Sequence, residues 1–143
     1  MRLNIAKGKE QEIEGYNNIQ ADSNIIENLQ RVTNNSCTEI LCLNSLENLS
    51  GEDGYKVIDL IVQKTRNLGT LHISGLDFYS LSNSFVSGSV TIKNVNDALS
   101  HINTVYDYKG IVTKLEENNF VIQTLMLKGQ TYQIEAQRIK QDA

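Results

Sequence analysis

The sequence predicts an α/β fold: a mainly parallel sheet with a C-terminal antiparallel hairpin and few, short helices. Three observations predict it. Short apolar, β-branched stretches alternate with stretches of helical periodicity, the order expected of strand–helix–strand units. Residues 39–43 (EILCL) read as apolar on both faces, as a buried parallel strand should. Near the C-terminus two strand-like runs flank Lys128-Gly129-Gln130, the signature of a hairpin.

The elements follow in order. Residues 2–6 form a short apolar strand that leaves through Lys7-Gly8-Lys9, and charged residues 10–14 are too few for a helix. Gly15 precedes a second extended stretch at 16–20. Residues 24–32 are ambiguous, since Ile25, Leu29 and Val32 have helical spacing but β-branched neighbours. Asn34-Asn35-Ser36 reads as a turn before the strand at 39–43. Leu46 starts a short helical turn that residues 50–54 (SGEDG) break. In 55–64, Tyr55, Ile58, Ile61 and Val62 share a helix face, and Asn67-Leu68-Gly69 ends that helix with a left-handed glycine. Residues 70–74 are the next strand. Residues 80–88, rich in serine and asparagine, are expected as a loop, of a length suited to a lid or site rim. Thr91 can cap a helix carrying Ile92, Val95 and Leu99, and Asp107 one carrying Tyr108, Ile111, Val112 and Leu115. The hairpin strands are placed at 120–127 and 131–139.

At 143 residues the chain is expected to form one domain over 1–143. Its 40% hydrophobic and 21% charged residues are a globular balance. No apolar run approaches the roughly 18–20 residues of a membrane span, so no membrane role is expected. The N-terminus shows no signal core, and a cytoplasmic location is the expectation. Acidic and basic residues are interspersed around a net charge of −4, so nucleic acid is not an expected partner. Cys37 and Cys42 lie five apart, on opposite faces of an extended strand, and are read as inert thiols. His72 and His101 are isolated, and no metal site is expected. Proline is absent and asparagine, isoleucine and lysine are abundant, the composition of an AT-rich coding genome, which permits a phage origin.

Four stretches in order carry a resemblance. Leu3-Asn4-Ile5-Ala6-Lys7-Gly8-Lys9 is similar to an LNIGCGK opening, and Gly15-Tyr16-Asn17-Asn18-Ile19-Gln20 to GYxNVD. Ser36-Cys37-Thr38-Glu39-Ile40 with Leu46-Glu47-Asn48-Leu49 is similar to SxDEI followed by LEHL. Residues 66–78 (RNLGTLHISGLDF) are similar to KPGGTLHISVPDF. Residues 105–108, 115–120 and 132–136 resemble the corresponding tail. The family so resembled is the class I S-adenosylmethionine-dependent methyltransferases, and the resemblance implies their Rossmann-like fold and their cofactor.

In that family a glycine-rich turn after the first strand lets backbone approach the cofactor, and an acid ending the second strand accepts from the ribose hydroxyls. Carried over by position, the cofactor-binding residues are Ala6, Lys7, Gly8, Gln20, Asp22 and Asn44. The match is degenerate. Ala6 stands at the first glycine, Lys7 at the next small residue, Gln20 at the acid, and Asn48 at a histidine; Gly8 alone is kept. Asp22 is the substitute acid if the turn is shifted, and Asn44 is placed to hydrogen-bond the adenine or methionine end. Loss of one charge-assisted hydrogen bond costs about 1.5–3 kcal/mol, or about ten- to over a hundredfold in affinity. Asp77 and Tyr106 are candidates for a substrate rim, against the plainer readings of a turn or cap residue and a core aromatic. His72 reads as a packed or surface side chain, and Gly8 by itself as a turn residue.

The expected function is a methyltransferase-like domain with weakened or lost S-adenosylmethionine binding, acting as a non-catalytic binding or assembly module. The alternative is an active methyltransferase acting on a small molecule, a sugar or a protein. An oligomeric structural component is the third reading. Expected partners are a small molecule or a protein, including a second copy joined through the edge of the C-terminal hairpin.

Overall fold

The computed structural model describes residues 1–139, so the last four residues of the expected domain, 140–143, lie outside it. Its strands are β1 (Arg2–Ala6), β2 (Asn17–Gln20), β3 (Cys37–Leu43), β4 (Thr65–Leu76), β5 (Phe120–Lys128) and β6 (Thr131–Arg138). Its helices are α1 (Ile25–Gln30), α2 (Gly51–Lys64), α3 (Phe78–Val86), α4 (Ile92–Leu99) and α5 (Tyr108–Glu117). The strands form one sheet in the order β2-β1-β3-β4-β6-β5, with β2, β1, β3 and β4 parallel and β6 antiparallel to both β4 and β5. This is the expected mixed sheet with its C-terminal hairpin. Among the described residues no helix is long and apolar enough to cross a membrane.

Two transverse rows of apolar side chains run across the sheet. Ile19, Ile5, Cys42, Ile73 and Ile134 pair in sequence from β2 to β6, and Leu3, Ile40, Leu71, Ala136 and Ile122 from β1 to β5. Ile25 and Leu29 of α1, Val57, Ile58 and Ile61 of α2, and Ile111 and Leu115 of α5 pack onto the same face in one core cluster. Alternation sends Asn4, Glu39, Leu41, Leu43, His72 and Glu135 to the other face. There Leu43 is exposed and Glu39 and Leu41 half-buried, so β3 is covered on one face only, a correction to its reading as apolar on both. The connection between β1 and β2 crosses this second face, where Asn4 Nδ2 donates to the Gln11 carbonyl at 2.7 Å and to Asn18 Oδ1 at 2.9 Å.

Other expectations are corrected by side-chain caps and by close packing. The short turn at Leu46–Asn48 does end before the extended Ser50, but residues 51–54 are not themselves irregular: Ser50 caps α2 by accepting from the Asp53 N–H, and Gly51 is its first residue. Residues 80–88 are not a loop, because Asp77 accepts from the Ser80 N–H and starts α3, which buries Leu81. The segment 24–32 resolves as helix. α2 ends at Lys64, ahead of 67–69, and the left-handed residue there is Leu68 (φ 64°), not Gly69. Gly69 provides space instead, since a Cβ would lie 2.8 Å from the Cys37 carbonyl oxygen. The caps at Thr91 and Asp107 form as expected, Thr91 within a capping box.

Gly54 lies under Tyr106, whose hydroxyl donates to the Leu46 carbonyl at 3.3 Å. A Cβ at position 54 would overlap that hydroxyl. Alanine in a helix interior ordinarily stabilises by about 0.5–1 kcal/mol over glycine. Here Gly54→Ala is expected to destabilise by about 1–3 kcal/mol, as overpacking does. Urea unfolding of Gly54→Ala, Tyr106→Phe and the double variant checks this, with the second change recovering part of the loss.

Candidate functional site

β1 is followed by β2 on one side and its other neighbour β3 by β4 on the other, so the connections leaving these two adjacent strands run in opposite directions. Open α/β sheets bind ligands in the crevice at such a switch point. Ala6 ends β1, fully buried, in register with Gln20 at the end of β2, and its carbonyl accepts from the Ala21 N–H at 2.8 Å. Lys7, Gly8, Asp22 and Asn44 lie at the same end of the sheet, so the structure brings the sequence-predicted cofactor residues to one region.

Several of their hydrogen-bonding groups are engaged locally. The Lys7 N–H donates to Gln11 Oε1 at 2.8 Å, and the Gln11 N–H donates back to the Gly8 carbonyl at 3.1 Å. Gly8 is extended (φ −170°, ψ 174°), a backbone state open to any residue. The Gln20 amide donates to Glu12 Oε1 at 2.9 Å. Asp22 accepts from the Asn24 N–H ahead of α1 at 2.9 Å. Between β1 and β3 the fully buried Ser45 hydroxyl contacts the carbonyl oxygens of Ile5 (2.7 Å) and Leu43 (3.0 Å). Asn44 is left-handed (φ 56°), a state asparagine tolerates, and its N–H donates to the Ser74 carbonyl at 2.9 Å. Its side chain borders a cavity of about 310 Å³ on the face opposite the helices, shared with Leu43, His72, Ser74, Gln133 and Glu135.

Below the ends of β3 and β4 lies a buried polar cluster. The Glu47 carboxylate, only 9% exposed, accepts from the Leu76 N–H, and its backbone carbonyl accepts from Asn103 and Thr104. Its side chain fills the space where a Cβ on Gly75 would sit. Burial, reinforced by the Glu47 charge, pushes the Cys42 thiol from its ordinary 9.0 up to about 12. Burial foremost, with Tyr55 next, lifts the Tyr106 hydroxyl to about 12, and burial also holds Tyr132 well above its ordinary value. Cys37 and Cys42 are both free and buried.

Asp77 and Tyr106 line no rim. Asp77 is fully buried; Oδ2 accepts from the Ser80 N–H and hydroxyl, and Oδ1 from the Tyr108 N–H at 3.0 Å. Tyr106 is 2% exposed, and its strand-like bridge to Asp77 joins the segment before α5 to the end of β4. Glu12, Ser45 and Glu47 were not among the expected site residues. Glu47 lies in the LEHL-like stretch, but its role and that of Ser45 are not readable there, because Glu47 meets Leu76 from 29 residues away and Ser45 meets Ile5 from 40.

No family model and no curated protein sequence matches the chain. Solved structures do. A SAM-dependent methyltransferase from Methanosarcina mazei superposes with a TM-score of 0.63 at 11% identity, over 98% of this chain and 92% of that one. An O-methyltransferase family protein from Burkholderia thailandensis gives 0.62 at 10% identity, over 89% of this chain and 37% of that one. Magnesium protoporphyrin IX methyltransferase from Synechocystis, with SAH bound, gives 0.55 at 14% identity, over 92% and 55%. The chain thus spans well under two-thirds of the last two structures. The fold is that of class I S-adenosylmethionine-dependent methyltransferases.

Cys42 and Tyr106 have folded-state values raised above those of the unfolded chain, so above about pH 9 the native state binds more protons. Their stabilisation is complete below pH 9 and is lost as pH rises through about 12. Urea midpoints measured from neutral to strongly alkaline pH should therefore fall, and iodoacetamide should leave both thiols unmodified until unfolding. Asp77→Ala, which strips three donors of their acceptor, should cost roughly 2–3 kcal/mol by the same denaturation assay.

Proposed function

We propose that this chain is a methyltransferase-like domain with weakened or lost S-adenosylmethionine binding, acting as a non-catalytic binding or assembly module. The observation that carries this reading is the closure of the turn after β1. The Lys7 N–H is taken up by Gln11, and Gly8 adopts no glycine-specific conformation. A cofactor approaching Ala6 would have to displace that hydrogen bond. At the end of β2 it would meet the Gln20 amide, already held by Glu12, where the fold's enzymes use an acid. The groups present do not fit the nucleoside. Protein or small-molecule partners suit the uncovered second face of the sheet, where the cavity bounded by Asn44, His72 and Glu135 lies.

One observation favours the second reading, an active methyltransferase on a small molecule, sugar or protein. The Glu12 carboxylate, 2.9 Å from the Gln20 amide, places an acid at the end of β2 from a different point in the chain. Calorimetry with S-adenosylmethionine and S-adenosylhomocysteine separates the two readings. No heat at millimolar ligand is the expected result. Low-micromolar dissociation constants that Glu12→Gln weakens would overturn it and establish the second reading.

A further inference from the structure

We propose that the outer edge of β5 is a self-association surface, where two copies of this chain pair their β5 strands antiparallel about a two-fold axis. The inference specifies the assembly half of the function proposed above and does not depend on the state of the cofactor turn.

The two edges of the sheet differ. β2 is four residues long and reads Asn17-Asn18-Ile19-Gln20, a short and polar edge of the kind that resists pairing. β5 has nine residues, with no charge from Phe120 to Leu127 and no proline anywhere in the chain. Val121, Leu125, Met126 and Leu127 are 48%, 43%, 49% and 46% exposed. A long, neutral, apolar edge with open backbone donors and acceptors is a template for another strand.

The register points to a second copy as the occupant. The row Ile19, Ile5, Cys42, Ile73, Ile134 is buried from β2 to β6 and then runs onto Leu125, which is exposed. Leu127 likewise pairs with the fully buried Tyr132. α5 packs against β5 and buries its Phe120 end, leaving the distal half of the strand open. The irregularity between Ile122 and Thr124 leaves residues 124–128 as a regular stretch. A two-fold axis at Met126 sets Leu125 against Leu127 of the other copy, twice, on the core face. On the opposite face it sets Met126 against itself and Thr124 against Lys128. The two Lys128 ammonium groups fall at opposite ends, so no like charges face each other. The neutral stretch therefore complements itself, and each copy extends the other's core row.

Light scattering over a micromolar-to-millimolar series should give the mass of two chains; a monomer throughout would overturn the proposal. Met126→Lys brings two ammonium groups together at the axis and should raise the dimer dissociation constant by about a hundredfold or more. Its circular dichroism should be unchanged, because position 126 is half exposed. The same change at Ile92, an exposed residue of α4, should leave the dimer intact. Self-paired positions place Cα atoms roughly 4.5–5.5 Å apart, within the span of a disulfide. Met126→Cys should therefore cross-link on oxidation and Ile92→Cys should not, while buried Cys37 and Cys42 do not compete. A dimer insensitive to Met126→Lys, or equal cross-linking at 92 and 126, would place the interface elsewhere and overturn the proposal. A cofactor-binding dimer would refute the proposed loss of cofactor and leave this inference standing; a cofactor-free monomer would do the reverse.

Discussion

The register of the transverse apolar rows is the constraint on which the other features depend. Side chains alternate faces along a strand, so a slip of one residue would carry Ile5, Cys42 or Ile73 from beneath the helices to the open face. The five buried members of the longer row fix five strands against one another. With the strands so fixed, the C-terminal ends of β1, β3 and β4 come level. Ser45 then reaches the carbonyls of both Ile5 and Leu43, and Glu47 reaches the Leu76 N–H. The polar groups beneath the strand ends are a consequence of that register.

Much of the fold was legible because it rests on local chemistry. The hairpin needed only a glycine able to turn, and Gly129 has a φ of 61°. α4 and α5 needed Thr91 and Asp107 three residues ahead of the backbone groups they cap. The misread elements combine a local signal hidden by composition with partners distant in sequence. Residues 80–88 look like a loop by composition, yet Asp77 caps them into a helix while also holding Tyr108 from 31 residues away. The glycines near 51–54 look like breakers, but Gly54 is required by a hydroxyl that only folding brings over it. At the candidate site the sequence placed its residues at one end of the sheet, since Ala6 and Gln20 end their strands and Asn44 directly follows β3. It could not supply Glu12 or Gln11 as partners, because the spacing of the connection between β1 and β2 does not reveal which side chain folds back.

The same reasoning separates the glycines by their role. Gly54, Gly69 and Gly75 each sit where a methyl group would collide with a neighbour: a tyrosine ring, a backbone carbonyl or a carboxylate. Packing of the fold itself accounts for them. Gly8 would meet only the end of the flexible Glu10 side chain, at 3.2 Å, and its dihedral angles are open to any residue. Neither conformation nor internal packing requires glycine there, so it is the one glycine of the family-like turn that the fold alone does not explain. Beside it, the Lys7 backbone N–H is already taken up by Gln11.

A sheet assembled this way has two places where its interactions are unfinished, and they differ in chemistry. The face opposite the helices is more polar, with Asn44, His72, Gln133 and Glu135 beside Leu43 around a cavity, and water satisfies its polar groups well. The β5 edge carries Leu125 and Leu127 on the core face, Met126 on the other, and a row of backbone groups that a partner strand can pair. Burying Leu125 and Leu127 would continue an existing core, whereas covering the polar face would require each side chain to find a new hydrogen-bond partner. The balance between hydration and burial therefore favours completion at the edge, along the row that already orders the rest of the sheet.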